Sequence, residues 1–445
     1  MDILIEKSIT KDFIFIFLAI LFASLTSFFS IPIIFNNIGS EAYGYLNFIF
    51  LLYFSVTSID GSRPVVIHLL KEGDKNIFGI LHAVNILTGI FLFCFGLLIC
   101  HLFSFSFDKI LLLFSVCIFI PTSALWGFLE FHDRVNFANS SRNYLLSILY
   151  LLMIIISYYT DVSLYYVFLI FIFSILLYIL FLKEVLKFNK KVINTNFFNY
   201  SSLLNTYVKK AIPSYGFYFI VFFIMTFDKL FIYYNLSLDA YGEYSSLRDL
   251  VVKLWVIFTI VRLVLYPIFV KTGITSNNFQ NIIKVALSIG IILSSLGIIL
   301  QKFYLPLFYN DPNYIVFTNS LLTLPLVSLG FITIIGLNVD GNFNDQRNHY
   351  FLYLLISILI IVFYNQEYSI EFFSYIFLFS RFVDLHLLHT YSRKIGISNY
   401  WFFKIALQIF LFFLVSLYLN PIFLYPFLFF YIVFFISNFK LIKTG

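Results

Sequence analysis

The chain is poor in charge. Of its 445 residues only 11% are Asp, Glu, Lys or Arg, while 61% are hydrophobic and the mean hydropathy is +0.95. Soluble domains run near a quarter charged, so too few polar side chains exist to wet the surfaces of two or three globular domains. Cysteine is also scarce. Cys94, Cys100 and Cys117 fall in or at the ends of apolar stretches, where they read as small packing residues without the spacing of a disulfide framework or a metal clip. There is no HExxH, no CxxC pair, no spaced carboxylate cluster and no Walker loop. The sequence therefore gives no motif for a resident metal or for ATP hydrolysis, and no cofactor is expected.

What remains is a series of apolar runs long enough to cross about 30 Å of hydrocarbon at ~1.5 Å per residue. The first begins near Phe13 and lacks a small-residue cleavage site, so it reads as a retained helix. Helices are expected near 13–35, 45–70, 77–100, 110–129, 144–160 and 164–182, then 211–236, 245–270, 281–305, 315–338, 349–364 and 372–390. A closing pair is expected at 401–419 and 422–438, split by Asn420-Pro421. Twelve spans in total is the alternative. About 20 of the Lys and Arg residues fall on one side of this arrangement, among them Lys71, Lys75, Arg134, Arg142, Lys183, Lys187, Lys190, Lys191, Lys440 and Lys443, which puts both termini in the cytoplasm. Acids mark the outer turns: Glu41, Asp161, Asp239, Glu243, Glu367 and Glu371. Basic loops beside an anionic leaflet account for the net charge of +6 without nucleic acid as a partner.

The two halves echo each other. Ala42-Tyr43-Gly44 returns as Ala240-Tyr241-Gly242, each copy following the first apolar segment of its half. Pro121 precedes Arg142-Asn143-Tyr144 at about the distance at which Pro325 precedes Arg347-Asn348. The fold expected is all-α and polytopic: two six-helix bundles related by a pseudo-two-fold axis along the membrane normal, plus two C-terminal helices. Residues 1–200 form the first lobe with its cytoplasmic linker, 201–390 the second lobe, and 391–445 the added hairpin.

An ionisable group in a helix core costs at least about 2.5–3.5 kcal/mol, which makes each one a functional candidate. Asp60 and Arg63 flank Gly61-Ser62 ahead of Pro64; they either line an opened, wet stretch of helix or neutralise each other on one face. Asp228 and Lys229 are adjacent and, pointing about 100° apart, need different partners. In the next span Asp249 and Lys253 have the spacing of an intrahelical pair, leaving Arg248 and Arg262 without a local counter-ion. Snorkelling to the outer surface is the plainer reading of Arg248. Arg381 and Asp384 are three apart, with His386 and His389 beyond them. In all, Arg63, Lys229, Arg248, Lys253, Arg262 and Arg381 outnumber Asp60, Asp228, Asp249 and Asp384. The surplus points to an anionic substrate, and a diphosphate suits it. The acids are then coupling or counter-ion groups.

The opening run Phe29-Ser30-Ile31-Pro32-Ile33-Ile34-Phe35-Asn36-Asn37-Ile38-Gly39-Ser40-Glu41-Ala42-Tyr43-Gly44 resembles the first hairpin of Wzx-type polysaccharide flippases. Those belong to the multidrug/oligosaccharidyl-lipid/polysaccharide exporter superfamily. Length, span count and the two-half plan are similar as well. The resemblance implies a transporter, not an enzyme, in the bacterial inner membrane. Its cargo would be the undecaprenyl-diphosphate-linked O-antigen repeat unit, moved to the periplasmic face by alternating access around a cationic cavity. Membrane lipids, a polysaccharide polymerase and a chain-length regulator would be its other partners. Arg63, Lys229, Arg248, Arg262 and Arg381 would be the cavity cations. The first span has no acidic residue, unlike a multidrug exporter that couples to cations through that helix. The rivals are a multidrug/cation antiporter of the same fold, and a membrane O-antigen polymerase or glycosyltransferase. The antiporter would be expected to hold carboxylates for cationic drugs. The enzyme would normally need a periplasmic loop larger than the outer connections of about 3–14 residues seen here.

Overall fold

The computed structural model describes the chain except for residues 59–65, 67–76, 103–106, 133, 160–162, most of 189–225, most of 256–273, 340–342, 365–366, 419–422 and the two terminal residues. Everything regular among the described residues is helical. In hydrocarbon a backbone must satisfy its own hydrogen bonds, and an apolar run does so as a helix. The first half gives α1 (Asp2–Ile38), α2 (Ser40–Ser58), α3 (Ile77–Leu102), α4 (Phe107–Phe131), α5 (Val135–Ser157) and α6 (Ser163–Phe188). The second gives α7 (described over 226–235), α8 (Leu238–Leu254), α9 (Ser276–Tyr304), α10 (Tyr314–Val339) and α11 (Phe343–Val362). After them come α12 (Ile370–Ser380), α13 (Phe382–Lys394), α14 (Asn399–Tyr418) and α15 (Leu424–Thr444). Each of the fourteen expected spans meets a helix, the twelfth being broken at Arg381 into α12 and α13. Eight helices among the described residues have the length and apolarity of a bilayer span, and Arg347–Val362 and Leu424–Ile436 are shorter apolar helices.

Two compact units divide the chain, Met1–Phe222 and Phe223–Gly445. In the first, α1 lies along α5, and α4 packs between α3 and α6. In the second, α9 lies along α10 and α15, while α12 and α13 pack on α10. The centre of this unit is α10: 89% of Tyr314–Leu337 is buried, against 22% of Asn399–Leu417 on α14. Four of its hydroxyls bond within their own helix, while Thr318 donates to Gln301 of α9 at 3.0 Å. Ser320 donates to the Val316 carbonyl, Thr323 to Ser320, Ser328 to Pro325 and Thr333 to Leu329, all at 2.6–2.8 Å. Asn319 is different, donating across to Ser374 of α12 at 2.7 Å. Phe91, Phe95, Phe403 and Phe410 are exposed on α3 and α14, as side chains facing lipid would be.

The repeated Ala-Tyr-Gly is helical in both copies. It occupies the first turns of α2 and α8. The reversals lie just ahead of it, at Gly39, whose φ of 83° suits glycine, and at Ser237, whose hydroxyl accepts the Ala240 N–H at 3.0 Å. The two copies make one contact twice. Tyr43 meets Phe35 edge-on at 5.5 Å, and Tyr241 meets Tyr233 edge-on at 5.6 Å.

A second joint also recurs. Pro121 and Pro325 lie inside α4 and α10, and beside each a glycine of the preceding helix comes close. A Cβ on Gly89 would stand 2.8 Å from the Cys117 carbonyl oxygen, and one on Gly290 would stand 2.8 Å from Pro325 Cα. Small residues let membrane helices approach to this degree. Gly96 and Gly297, two turns further on, meet Leu113 and Leu321 in the same manner. The prolines are visible as a repeat in the sequence; the glycines are intelligible only once the helices are paired. Gly89→Ala and Gly290→Ala should each destabilise the protein by about 1–3 kcal/mol, because backbone rather than a flexible side chain must move. Melting of the purified variants in detergent checks this, and unchanged melting would mean the joints are loose.

Candidate functional site

Among the described residues, buried charge is concentrated in the second unit. α7 carries an acid then a base, Asp228-Lys229; α8 carries a base then an acid, Arg248-Asp249. With the two helices side by side, these reversed pairs face each other sign against sign. Arg248 Nε lies 2.8 Å from Asp228 Oδ2, and Arg248 Nη2 donates to Oδ1 at 3.4 Å. Tyr244 adds its hydroxyl, donating to Asp228 Oδ2 at 2.5 Å. Lys229 Nζ stands 2.7 Å from both carboxylate oxygens of Asp249, and Arg248 Nη1 is 3.6 Å from Asp249 Oδ1. Four charges thus close into a neutral network. Their side chains are 0% (Asp228), 5% (Lys229 and Arg248) and 17% (Asp249) exposed.

A second group follows across one aromatic ring. Phe377 of α12 has the Arg248 guanidinium 4.0 Å from its centroid and the Arg381 guanidinium 5.8 Å away. Trp255 stacks on Phe377 at 6.1 Å, with Arg381 5.9 Å from the indole. Such contacts favour cations where water is excluded. Arg381 sits at the break between α12 and α13, where its N–H donates to Leu378 and its carbonyl accepts from Asp384 N–H, at 3.1 and 3.0 Å. Its Nη1 is 3.9 Å from Asp384 Oδ2, and Tyr350 of α11 donates to Asp384 Oδ1 at 3.3 Å. Room for that carboxylate comes from Gly330 of α10, where a Cβ would overlap it.

Among the candidates, Lys229, Arg248, Arg381, Asp228, Asp249 and Asp384 are therefore brought together in the second unit. Asp60, Arg63 and Arg262 lie outside the described residues. Lys253 is half-buried on α8, one turn beyond Asp249.

Three expectations change. Asp249 is held across helices by Lys229, because the register of the α7–α8 hairpin brings an ammonium nearer than the spacing along α8 suggests. Arg248 has counter-ions, Asp228 and Asp249, and is buried rather than snorkelling. The surplus of deep cations shrinks: among the described residues Lys229, Arg248 and Arg381 meet Asp228, Asp249 and Asp384. Tyr244, Tyr350 and Phe377 were missed, since aromatic residues are too common here (62 Phe and 32 Tyr) for any one to stand out. The histidines stay apart from this network. His386 packs on His349 at 4.4 Å, and His389 on Phe402 at 4.5 Å.

The helix order and packing match solved transporters. The lipid II flippase MurJ, in an inward closed conformation, superposes with a TM-score of 0.62 at 12% identity, over 97% of this chain and 98% of that one. An outward-facing multidrug resistance transporter of the MATE family, within the MOP superfamily, also gives 0.62 at 12% identity, over 87% and 96%. A MOP-superfamily transporter from Pyrococcus furiosus, described as having a binding pocket of reverse polarity, gives 0.56 at 13%. The fold is the polytopic membrane fold of these proteins. At such identities the likeness is one of fold. No protein-family model matches the sequence, and no curated protein does.

Removing one partner of a buried ion pair strands the other, at about 3–5 kcal/mol. Asp228→Ala should cost that much through Arg248. The exchange Lys229→Asp with Asp249→Lys should recover most of the loss seen in either single variant. A double-mutant cycle on melting in detergent measures the coupling, and simple additivity would mean that the two groups do not interact.

Proposed function

We propose that the protein is a transporter that flips a lipid-linked oligosaccharide with an anionic head group across the bacterial inner membrane, most specifically the undecaprenyl-diphosphate-linked O-antigen repeat unit. The observation that carries this reading is the near end-to-end match to a flippase fold. The MurJ superposition takes in 97% of the chain and the multidrug-exporter superposition 87%, a difference about the size of the α14–α15 hairpin. Support also comes from the basic loops that put both termini in the cytoplasm, and from the resemblance of the first hairpin to Wzx-type flippases. The cargo enters from the cytoplasmic leaflet, its diphosphate meets cations, and its lipid tail stays in the membrane. A cation already matched by a carboxylate gives an anion little. First contact is therefore assigned to Arg63 and Arg262 rather than to Lys229, Arg248 or Arg381. A polysaccharide polymerase and chain-length regulator act on the product.

One observation favours a second reading. The buried carboxylates Asp228, Asp249 and Asp384 would suit a multidrug/cation antiporter of the same fold. Export of cationic dyes from cells that carry the protein, with lipid-linked glycan unaffected, would decide for it.

Deletion of the gene should leave lipid-linked repeat units on the cytoplasmic face of the membrane, read by labelling each face of inverted and right-side-out vesicles. Arg262→Ala should lower export at least about tenfold at unchanged protein level, the loss of one charge-assisted contact of ~1.5–3 kcal/mol. Normal distribution of glycan between the faces in the deletion strain would sink the reading. Single-repeat product on the outer face would point to a polymerase instead.

A further inference from the structure

We propose that Asp249 is a built-in stand-in for the cargo: its carboxylate occupies an anion site made by Lys229 and Arg248, and a phosphate or diphosphate group enters by displacing it. This rests on the reading that the cargo has an anionic head group.

The two acids of the network are not equivalent. Asp228 is 0% exposed and is held by Arg248 and by the Tyr244 hydroxyl at 2.5 Å. Asp249 is the most open member at 17%, and a rotamer change suffices to carry its carboxylate outward. Both its oxygens lie 2.7 Å from the Lys229 ammonium, with Arg248 Nη1 3.6 Å from Oδ1. Two oxygens of a phosphoryl group have a similar bite and bind the same two donor types. Once Asp249 swings away, Lys229 and Arg248 remain against Asp228 alone, leaving a single positive charge for one anionic group. Without cargo, the carboxylate spares the site one uncompensated positive charge in a low-dielectric surrounding.

The internal repeat argues that the fold itself does not need this network. With Ala42-Tyr43-Gly44 set on Ala240-Tyr241-Gly242, the first unit has Ser30-Ile31 where the second has Asp228-Lys229. It has Phe50-Leu51 where the second has Arg248-Asp249. The same hairpin is built in both units with the same aromatic contact, yet at these four positions only one copy is charged. A feature present in one copy alone is a functional addition.

The test uses full-length protein in phosphatidylcholine nanodiscs, titrated with inorganic pyrophosphate or doped with undecaprenyl diphosphate. The readout is tryptophan fluorescence, to which Trp255 contributes from its place on Phe377. Asp249→Asn, which keeps an acceptor for Lys229 but removes the competing charge, should bind at least about tenfold more tightly. Asp249→Glu should behave as wild type, and Lys229→Met should lose binding. Tightening towards the lipid alone identifies a membrane-borne head group as the ligand; tightening towards both identifies the phosphoryl group itself. Asp249→Asn that melts normally yet binds no better than wild type overturns the proposal, as does undiminished binding by Lys229→Met. Should Asp249→Asn fold poorly, Asp249→Ser makes the same prediction and decides in its place. If the deletion strain distributes glycan normally while Asp249→Asn still binds more tightly, flipping falls and the anion site stands. A clear flipping defect with no effect of Asp249→Asn leaves the reverse.

Discussion

A charge inside a bilayer has to be matched at the place where the chain puts it, because no water is there to do so. In the second unit this requirement ties down the register of helices that the shared hairpin already makes neighbours. Asp228-Lys229 and Arg248-Asp249 satisfy each other only if α7 and α8 align so that both pairs meet together. A slip of one helical turn would separate them by about 5.4 Å. Phe377 and Arg381 then extend the network to the break between α12 and α13, and Gly330 makes space on α10 for Asp384. Packing, register and charge are here one condition.

The first unit solves the same geometry without that condition. Its α1–α2 hairpin, its Phe35–Tyr43 contact and its Gly89–Pro121 joint have counterparts in Tyr233–Tyr241 and Gly290–Pro325. The backbone plan is common to both, and among the described residues the buried charge network is laid on one. This separates residues that make the fold from residues that use it. Glycine, proline and the paired aromatic rings belong to the first group; the ionisable groups of α7, α8 and α13 belong to the second.

The spans were legible because hydrophobic runs of bilayer length have few other readings. Their ends were less so. α5 starts at Val135 rather than near 144: Asn143 donates to the Asn139 carbonyl and Ser147 to the Asn143 carbonyl, and hydropathy does not see polar helix. The break at Arg381 was invisible for a related reason: nothing in the surrounding sequence is a helix breaker. The charged positions were found, and so was the spacing that pairs Arg381 with Asp384; the partners across α7 and α8 were not, because contact between helices depends on hairpin register. The signal that would have served is the reversal of sign order, acid-base on one helix and base-acid on the next.

The hydroxyls of α10 have a mechanical consequence. By turning Ser320, Thr323, Ser328 and Thr333 back onto its own carbonyls, the central helix offers its neighbours a surface with little to grip. α9, α12 and α13 rest on it chiefly through dispersion contacts, which re-form at successive positions as one rod glides past another. The Asn319–Ser374 and Thr318–Gln301 hydrogen bonds are pins at one end of this bearing. Beyond them, a unit assembled so has no run of hydrogen bonds from these four hydroxyls to tear apart when its helices shift along α10.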